Sequence, residues 1–293
     1  MEIAKIVVGL DFSEQSEVAA RQAIQIARRT GAQVVLVHAS QMPDSKRDET
    51  NQVAIQMREV IEARLSVRRN KLQEWSDRLR EELPGLSHML VDGFADDGLC
   101  QAGRDLNADL VVLGTHGRTG LSHFLLGSVA ERVVRHYERG VMVARPGADG
   151  QNLFKRILVP TDFSVHAEEA LKLALILAAP GATVNLFHAW DTPPEMALEW
   201  SGPILEELAK EADASGQNLL GRFARDELTL GFDTARGRPA ASIQEVLQRG
   251  KHDLVIMGSH GRRGLARFLL GSVAEKTVRH APCSVIVTHR HED

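Results

Sequence analysis

Apolar residues in this chain fall into short runs separated by longer stretches of helical spacing, and the same succession is read twice. The runs "IVVGL" (6–10) and "ILVPT" (157–161) are short, rich in β-branched residues and followed by Asp. After the second, Ala170, Leu173, Ala174 and Leu177 recur at three- and four-residue spacing, which predicts a helix. Next come "AQVVLVHA" (32–39) and "ATVNLFHA" (182–189), with Gly31 and Gly181 before them as helix C-caps. Long helical regions follow, over 51–83 and 202–228. A third strand leads to a third helix beginning near Asp96 or Ala241. A fourth strand, "DLVVLG" or "DLVIMG", and a last strand, "GVMVAR" or "SVIVTH", complete each half. Strands that alternate with helices and are apolar on both faces predict a parallel sheet covered on both sides. The expected fold is therefore α/β: two doubly wound, five-stranded, parallel-type open sheets with helices on both faces. The expected domains are 1–146 and 153–290, joined by "RPGADGQNLF" (145–154).

The repetition is strongest over 114–136 and 258–280, where 17 of 23 positions are identical without a gap. Matched positions lie 151 residues apart at Asp11 and Asp162 but 144 apart at Gly114 and Gly258. One repeat thus carries insertions, chiefly between residues 40 and 90.

A length of 293 residues suits roughly two domains. A formal net charge of −4 offers no general attraction to nucleic acid or to anionic membrane. No apolar run approaches the ~20 residues of a transmembrane helix. "MEIAKIVVGLDFS" reads as a first strand rather than a signal peptide. Cys100 and Cys283 fit neither a CxxC pattern nor a disulfide framework, so free structural thiols in a reducing cytoplasm are expected.

The repeated segment carries the candidate chemistry. Gly258 ends strand four, Gly261 follows after two residues, and Gly271 and Ser272 after nine more; Gly114, Gly117, Gly127 and Ser128 repeat the spacing. Glycines at a strand exit permit a sharp turn and a close backbone approach to a ligand, though they also serve as plain turn residues. Ser272 to Glu275 and Ser128 to Glu131 have capping-box form, which puts helix N-termini, and so anion sites, at both places. Together these make a phosphate cradle. Neither a P-loop nor GxGxxG is present. Asp11 and Asp162 stand where strand one meets its helix, placed to accept from ribose hydroxyls, to cap that helix with Ser13 or Ser164, or both. His116 and His260 lie in the glycine loops, where they either donate to phosphate or stay solvated. Arg118, Arg262 and Arg263 either add positive charge to the cradle or are ordinary surface charges. His38 and His188 end strand two as packed polar residues. His289 and His291 read as a tail. The pattern contains no HExxH or Cys/His metal spacing and no base beside a nucleophile.

The residues "VPTDFS", "FHA", "GSHGRRG" and "LLGSVAEKTVRHAPCSVIV", with Gly-x2-Gly-x9-Gly-Ser, make the chain resemble a tandem universal stress protein of the ATP-binding branch, over nearly its whole length. The resemblance implies an adenine nucleotide (ATP, ADP or AMP) across the strand ends, with Mg²⁺ able to accompany it. Pro160, Thr161 and Asp162 would face adenine and ribose, and Ala189 would line the adenine pocket. Met257, Gly258, His260, Gly261, Gly271, Ser272 and Val273 would wrap ribose and phosphates. The first-half equivalents are Gly9, Leu10, Asp11, Ala39, Leu113, Gly114, His116, Gly117, Gly127, Ser128 and Val129. "VGLDFS" departs from Pro-Thr-Asp, and "HYERGVMVARP" from "HAPCSVIVTHR", which makes the second site the better match. The resemblance also implies a pseudo-dimer meeting at "VMVAR" and "VIVTH", and self-association through the last strands. A nucleotide-binding regulatory role in stress is the expectation, against a slow ATPase or phosphotransferase and against an empty interaction scaffold.

Overall fold

The computed structural model describes residues 3–41, 52–116, 126–147, 153–191, 202–223, 227–261 and 270–289. The first half runs β1 (Lys5–Gly9), α1 (Glu14–Thr30), β2 (Gln33–Ser40), α2 (Gln52–Arg80), β3 (Ser87–Asp92), α3 (Ala95–Asp105), β4 (Leu110–Gly114), α4 (Ser128–His136) and β5 (Gly140–Ala144). The second half repeats it: β6 (Arg156–Pro160), α5 (Val165–Leu177), β7 (Thr183–Trp190), α6 (Gly202–Gly221), β8 (Thr229–Arg236), α7 (Pro239–Gly250), β9 (Leu254–Gly258), α8 (Ser272–His280) and β10 (Ser284–Thr288).

Within each half all strand pairs are parallel, in the order β3-β2-β1-β4-β5 and its mirror β10-β9-β6-β7-β8. The order reverses at β1/β4 and at β6/β9, which opens a crevice beyond the carboxyl ends of those strands. Alternation along the buried strands sends Ile6 and Val8 into one core under α1, α2, α5 and α6. Val7 goes into another, under α3, α4, α7 and α8.

The last strands pair antiparallel, Val285 opposite Val143, Ile286 opposite Met142 and Val287 opposite Val141. The two five-stranded sheets therefore continue into one ten-stranded sheet, where the sequence reading kept them apart. The physical reason is that β5 and β10 are wholly buried apolar strands whose outer edges would otherwise stay unpaired. "VMVAR" and "VIVTH" are the meeting strands. Arg145, almost fully buried, seals the seam: its guanidinium donates to the carbonyl of Val278 at 2.8 Å, at the C-terminal end of α8. Gln22 Nε2 donates to the Arg145 carbonyl and Ser284 Oγ to Gln22 Oε1.

Some local expectations change. Gly31 caps α1 with φ 76°. Gly181 does not cap α5, which ends at Leu177, because Pro180 cannot continue the helix. His289 is not a free tail: its Nδ1 lies 2.7 Å from the Arg139 carbonyl across the seam, and burial pulls its pKa below the ordinary histidine value. His291 lies outside the described residues. Cys100 and Cys283 are free and buried, and burial pushes their thiols up to about 11 and about 12. No described helix is long and apolar enough to cross a membrane.

Candidate functional site

The turn after β1 is built the same way in both halves. Asp11 Oδ1 accepts from Ser13 N (3.1 Å) and Ser13 Oγ (2.5 Å), while Ser13 Oγ accepts from Ser16 N and starts α1. Asp162 Oδ1 accepts from Ser164 N, and Ser164 caps α5. Each aspartate therefore helps to cap its helix. Between Asp and Ser stand Phe12 (φ 66°) and Phe163 (φ 61°), in the left-handed region that bulky residues avoid. What over-determines this strained turn is packing: the rings lie 4.5 and 4.6 Å from those of His38 and His188. Those histidines in turn hold the strand-one exit, with Nδ1 at 2.7 Å from the Leu10 carbonyl and 2.8 Å from the Thr161 carbonyl.

The glycine loops close the other side of the crevice. Gly127 N donates to the Thr115 carbonyl at 2.7 Å and Gly271 N to the Ser259 carbonyl at 2.9 Å, so the start of each helix is tied to its own strand exit. A Cβ at Gly114 would sit 2.8 Å from the Gln15 carbonyl oxygen, and one at Gly258 2.8 Å from His166 Cβ. These two glycines let the helix after strand one approach, a structural task. At Gly261 a Cβ would meet Asp162 Oδ2 at 2.5 Å, which brings the loop against the acidic turn.

The capping boxes are not formed. Gly127 and Gly271 are the N-caps, with no side-chain cap hydrogen bond, and Ser128 and Ser272 are the first helical residues. Glu131 and Glu275, instead of reaching back, form a four-membered charge ring with Arg135 and Arg279 across the seam. The consequence favours an anion. The amides of Ser128, Val129 and Ala130, and of Ser272, Val273 and Ala274, are first-turn donors that their helices leave unpaired. The Gly127 and Gly271 amides are already engaged.

In the first half these parts enclose a cleft of about 900 Å³. Gly9, Leu10, Asp11 and Ala39 line it from β1 and β2. Leu113, Gly114 and His116 line it from β4, and Gly127, Ser128 and Val129 from the start of α4. Gly117 falls outside the described residues, as do Arg118, Arg262 and Arg263. In the second half Pro160, Thr161 and Asp162 leave β6, and Ala189 lies near the end of β7. Met257, Gly258, His260 and Gly261 leave β9, and Gly271, Ser272 and Val273 open α8. His116 Nδ1 lies 3.0 Å from Thr115 Oγ1, and His260 Nδ1 3.0 Å from Ser259 Oγ. Burial, then the nearby His166, lowers the His260 pKa, which favours the neutral ring near pH 7. Its Nε2 is buried without a hydrogen-bond partner among the described residues.

A wall of the first cleft escaped the sequence reading. Ile61, Arg64, Leu65 and Arg68 of α2 face into it, and exposed Phe94 stands at its rim. The i, i+3, i+4, i+7 spacing in "IEARLSVR" was the available signal.

Comparison with known proteins agrees with this architecture. The sequence profile of the Universal stress protein family matches residues 2–145 and again 153–289. A universal stress protein of Methanocaldococcus jannaschii is 35% identical over 146 residues, covering 48% of this chain and 86% of that protein. One from Mycolicibacterium smegmatis is 27% identical over 295 residues, 96% of both chains. The crystal structure of a universal stress protein from Archaeoglobus fulgidus shares the fold. Its TM-score is 0.68 at 19% identity, covering 100% of this chain and 98% of that one. Two profile matches that between them span nearly all of the residues show that this chain belongs to the universal stress protein family, with the family's domain present in tandem.

Proposed function

We propose that the protein is an adenine-nucleotide-binding regulator of the stress response, with one ATP site per domain. The observation that carries the reading is the pair of uncapped helix starts, α4 and α8, each at the point where strand order reverses. In the first half that helix start opens onto a cleft lined by ten of the eleven residues chosen from sequence. In this reading the amides of Ser128, Val129 and Ala130 take the phosphates, Asp11 takes a ribose hydroxyl, and Leu10 and Ala39 pack on adenine. Asp162, Thr161, Ala189 and the first turn of α8 do the same in the second half. Asp11 and Asp162 support this role by position, at the carboxyl ends of β1 and β6 where the strand order reverses.

Among the described residues no group of three His, Cys, Asp or Glu side chains could hold a metal. Mg²⁺ would therefore arrive on the phosphates, without a dedicated protein cage. Hydrolysis is expected to run well below the roughly 1–100 s⁻¹ of kinases, since the sequence offers neither a Walker lysine nor a base beside a nucleophile. A cytoplasmic setting fits this role.

Thermal unfolding with added nucleotide tests the reading, together with mass spectrometry of small molecules released on denaturation. ATP, ADP or AMP at 100 times its dissociation constant should add about 2.7 kcal/mol. Stabilisation by NAD with none from the adenine mononucleotides would contradict it.

A further inference from the structure

The two halves share a glycine-led helix start, at α4 and α8, but differ on the helix that walls the first cleft. The ion pairs Arg78–Glu17 and Arg222–Glu168 occupy matching places and fix the correspondence of α2 with α6. The internal packing agrees: Leu72, Trp75 and Leu79 of α2 correspond to Gly216, Leu219 and Phe223. In that register Arg64 and Arg68 correspond to Leu208 and Ala212, and Ile61 and Leu65 to Leu205 and Ala209. The first cleft thus has two guanidinium groups where the second domain has aliphatic side chains.

Arg68 donates to Ser40 Oγ at the end of β2, next to Ala39 and on the side of the sheet away from β4. Arg64 lies one turn earlier on the same face of α2. Neither arginine forms an ion pair with a carboxylate among the described residues, whereas Arg58, Arg78 and Arg80 of the same helix each do. Guanidinium groups bind phosphate or carboxylate through charge-assisted, often bidentate hydrogen bonds. The volume of about 900 Å³ lies near the top of the range for small-molecule sites, so the cleft has room beyond the cradle.

We infer that Arg64 and Arg68 form a second anion-recognition point, so that the first domain selects a nucleotide that is anionic at two ends and the second domain does not. One phosphate sits on the first turn of α4 and another acidic group meets the arginine pair. This inference rests on the nucleotide reading above.

The test is calorimetric titration of the full chain with AMP, adenosine 3′,5′-bisphosphate and its 2′,5′ isomer. It is repeated on an Arg64→Gln/Arg68→Gln double variant whose melting temperature matches the parent. At least one bisphosphate should bind one site at least tenfold more tightly than AMP. In the double variant that advantage should vanish while AMP binding is unchanged. If AMP binds but neither bisphosphate gains, or if the gain survives in the variant, the second anion point is wrong and the nucleotide reading stands. If none of the three binds, both readings fall.

Discussion

Gly127 and Gly271 show how a residue legible in the sequence can do a different job from the one its motif suggests. The Gly-Ser pair was readable as a helix start, but not the identity of the cap, because a capping box needs a rotamer that the Arg135 and Arg279 guanidinium groups take away from Glu131 and Glu275. Both glycines have negative φ, −66° and −60°, so backbone strain does not explain them. Contact does: a Cβ would meet the Thr115 or Ser259 carbonyl oxygen at 2.9 Å. Gly127→Ala should therefore lower stability without nucleotide by about 1–3 kcal/mol, measured by urea unfolding. Ser128 is exposed and makes no cap bond, so Ser128→Ala should leave apo stability within about 0.5 kcal/mol. A titrating residue gives a further check. Burial, then the Arg156 charge, pulls His252 down to about 4, opposed by Asp233. The unfolded chain binds the proton near 6.5, so between about 4 and 6.5 it holds more protons than the native state, and stability rises with pH there. The contribution is present above 6.5 and is lost as pH falls toward 4, and solvent screening of this partly exposed ring keeps it to about 1–2 kcal/mol. Unfolding of His252→Asn between pH 4 and 7 should show a correspondingly flatter profile.

Elements were the most legible level. The succession of strands and helices and the parallel class of each sheet followed from apolar runs and helical spacing, because the central strands β1, β4, β6 and β9 are apolar and buried on both faces. The order of strands within the sheet, and so the switch points, did not. Facing was less legible. The wall that α2 contributes depends on where the helix docks, and no local pattern states that. The left-handed Phe12 and Phe163 were likewise invisible, since tertiary packing on His38 and His188 imposes them. Elements also explain a departure between the repeats. Tyr137 lies over Gly103 of α3, where a Cβ would come within 2.6 Å of its ring, and its hydroxyl donates to the Ala108 carbonyl. The corresponding second-half pair is Leu247 and Ala281, so volume has moved from the helix end to the facing helix. Tyr137→Ala should cost about 3–5 kcal/mol through the cavity it leaves. Adding Gly103→Leu should recover part of that loss in a double-mutant cycle. Simple additivity of the two costs would refute the exchange.

At the scale of the molecule, the seam between β5 and β10 turns two domains into one sheet. The meeting strands followed from the family resemblance, but continuity did not, because it depends on register and on the buried Gln22–Arg145–Ser284 network. A fragment of residues 1–146 would expose the apolar edge of β5 and should dimerise through it; a monomeric fragment by sedimentation would argue against this role. The central claim is that each half binds an adenine nucleotide at an uncapped helix start. Calorimetric titration with ATP of the parent, Ser128→Asp, Ser272→Asp and the double variant tests it most directly, because a carboxylate on the first helical residue suits the helix start but repels phosphates held by its amides. The account predicts two sites in the parent, each single variant weakening one site by several-fold, and the double variant weakening both, with melting temperatures not lowered. Undiminished binding of two ATP molecules by the double variant, or no ATP binding by the parent, would contradict it.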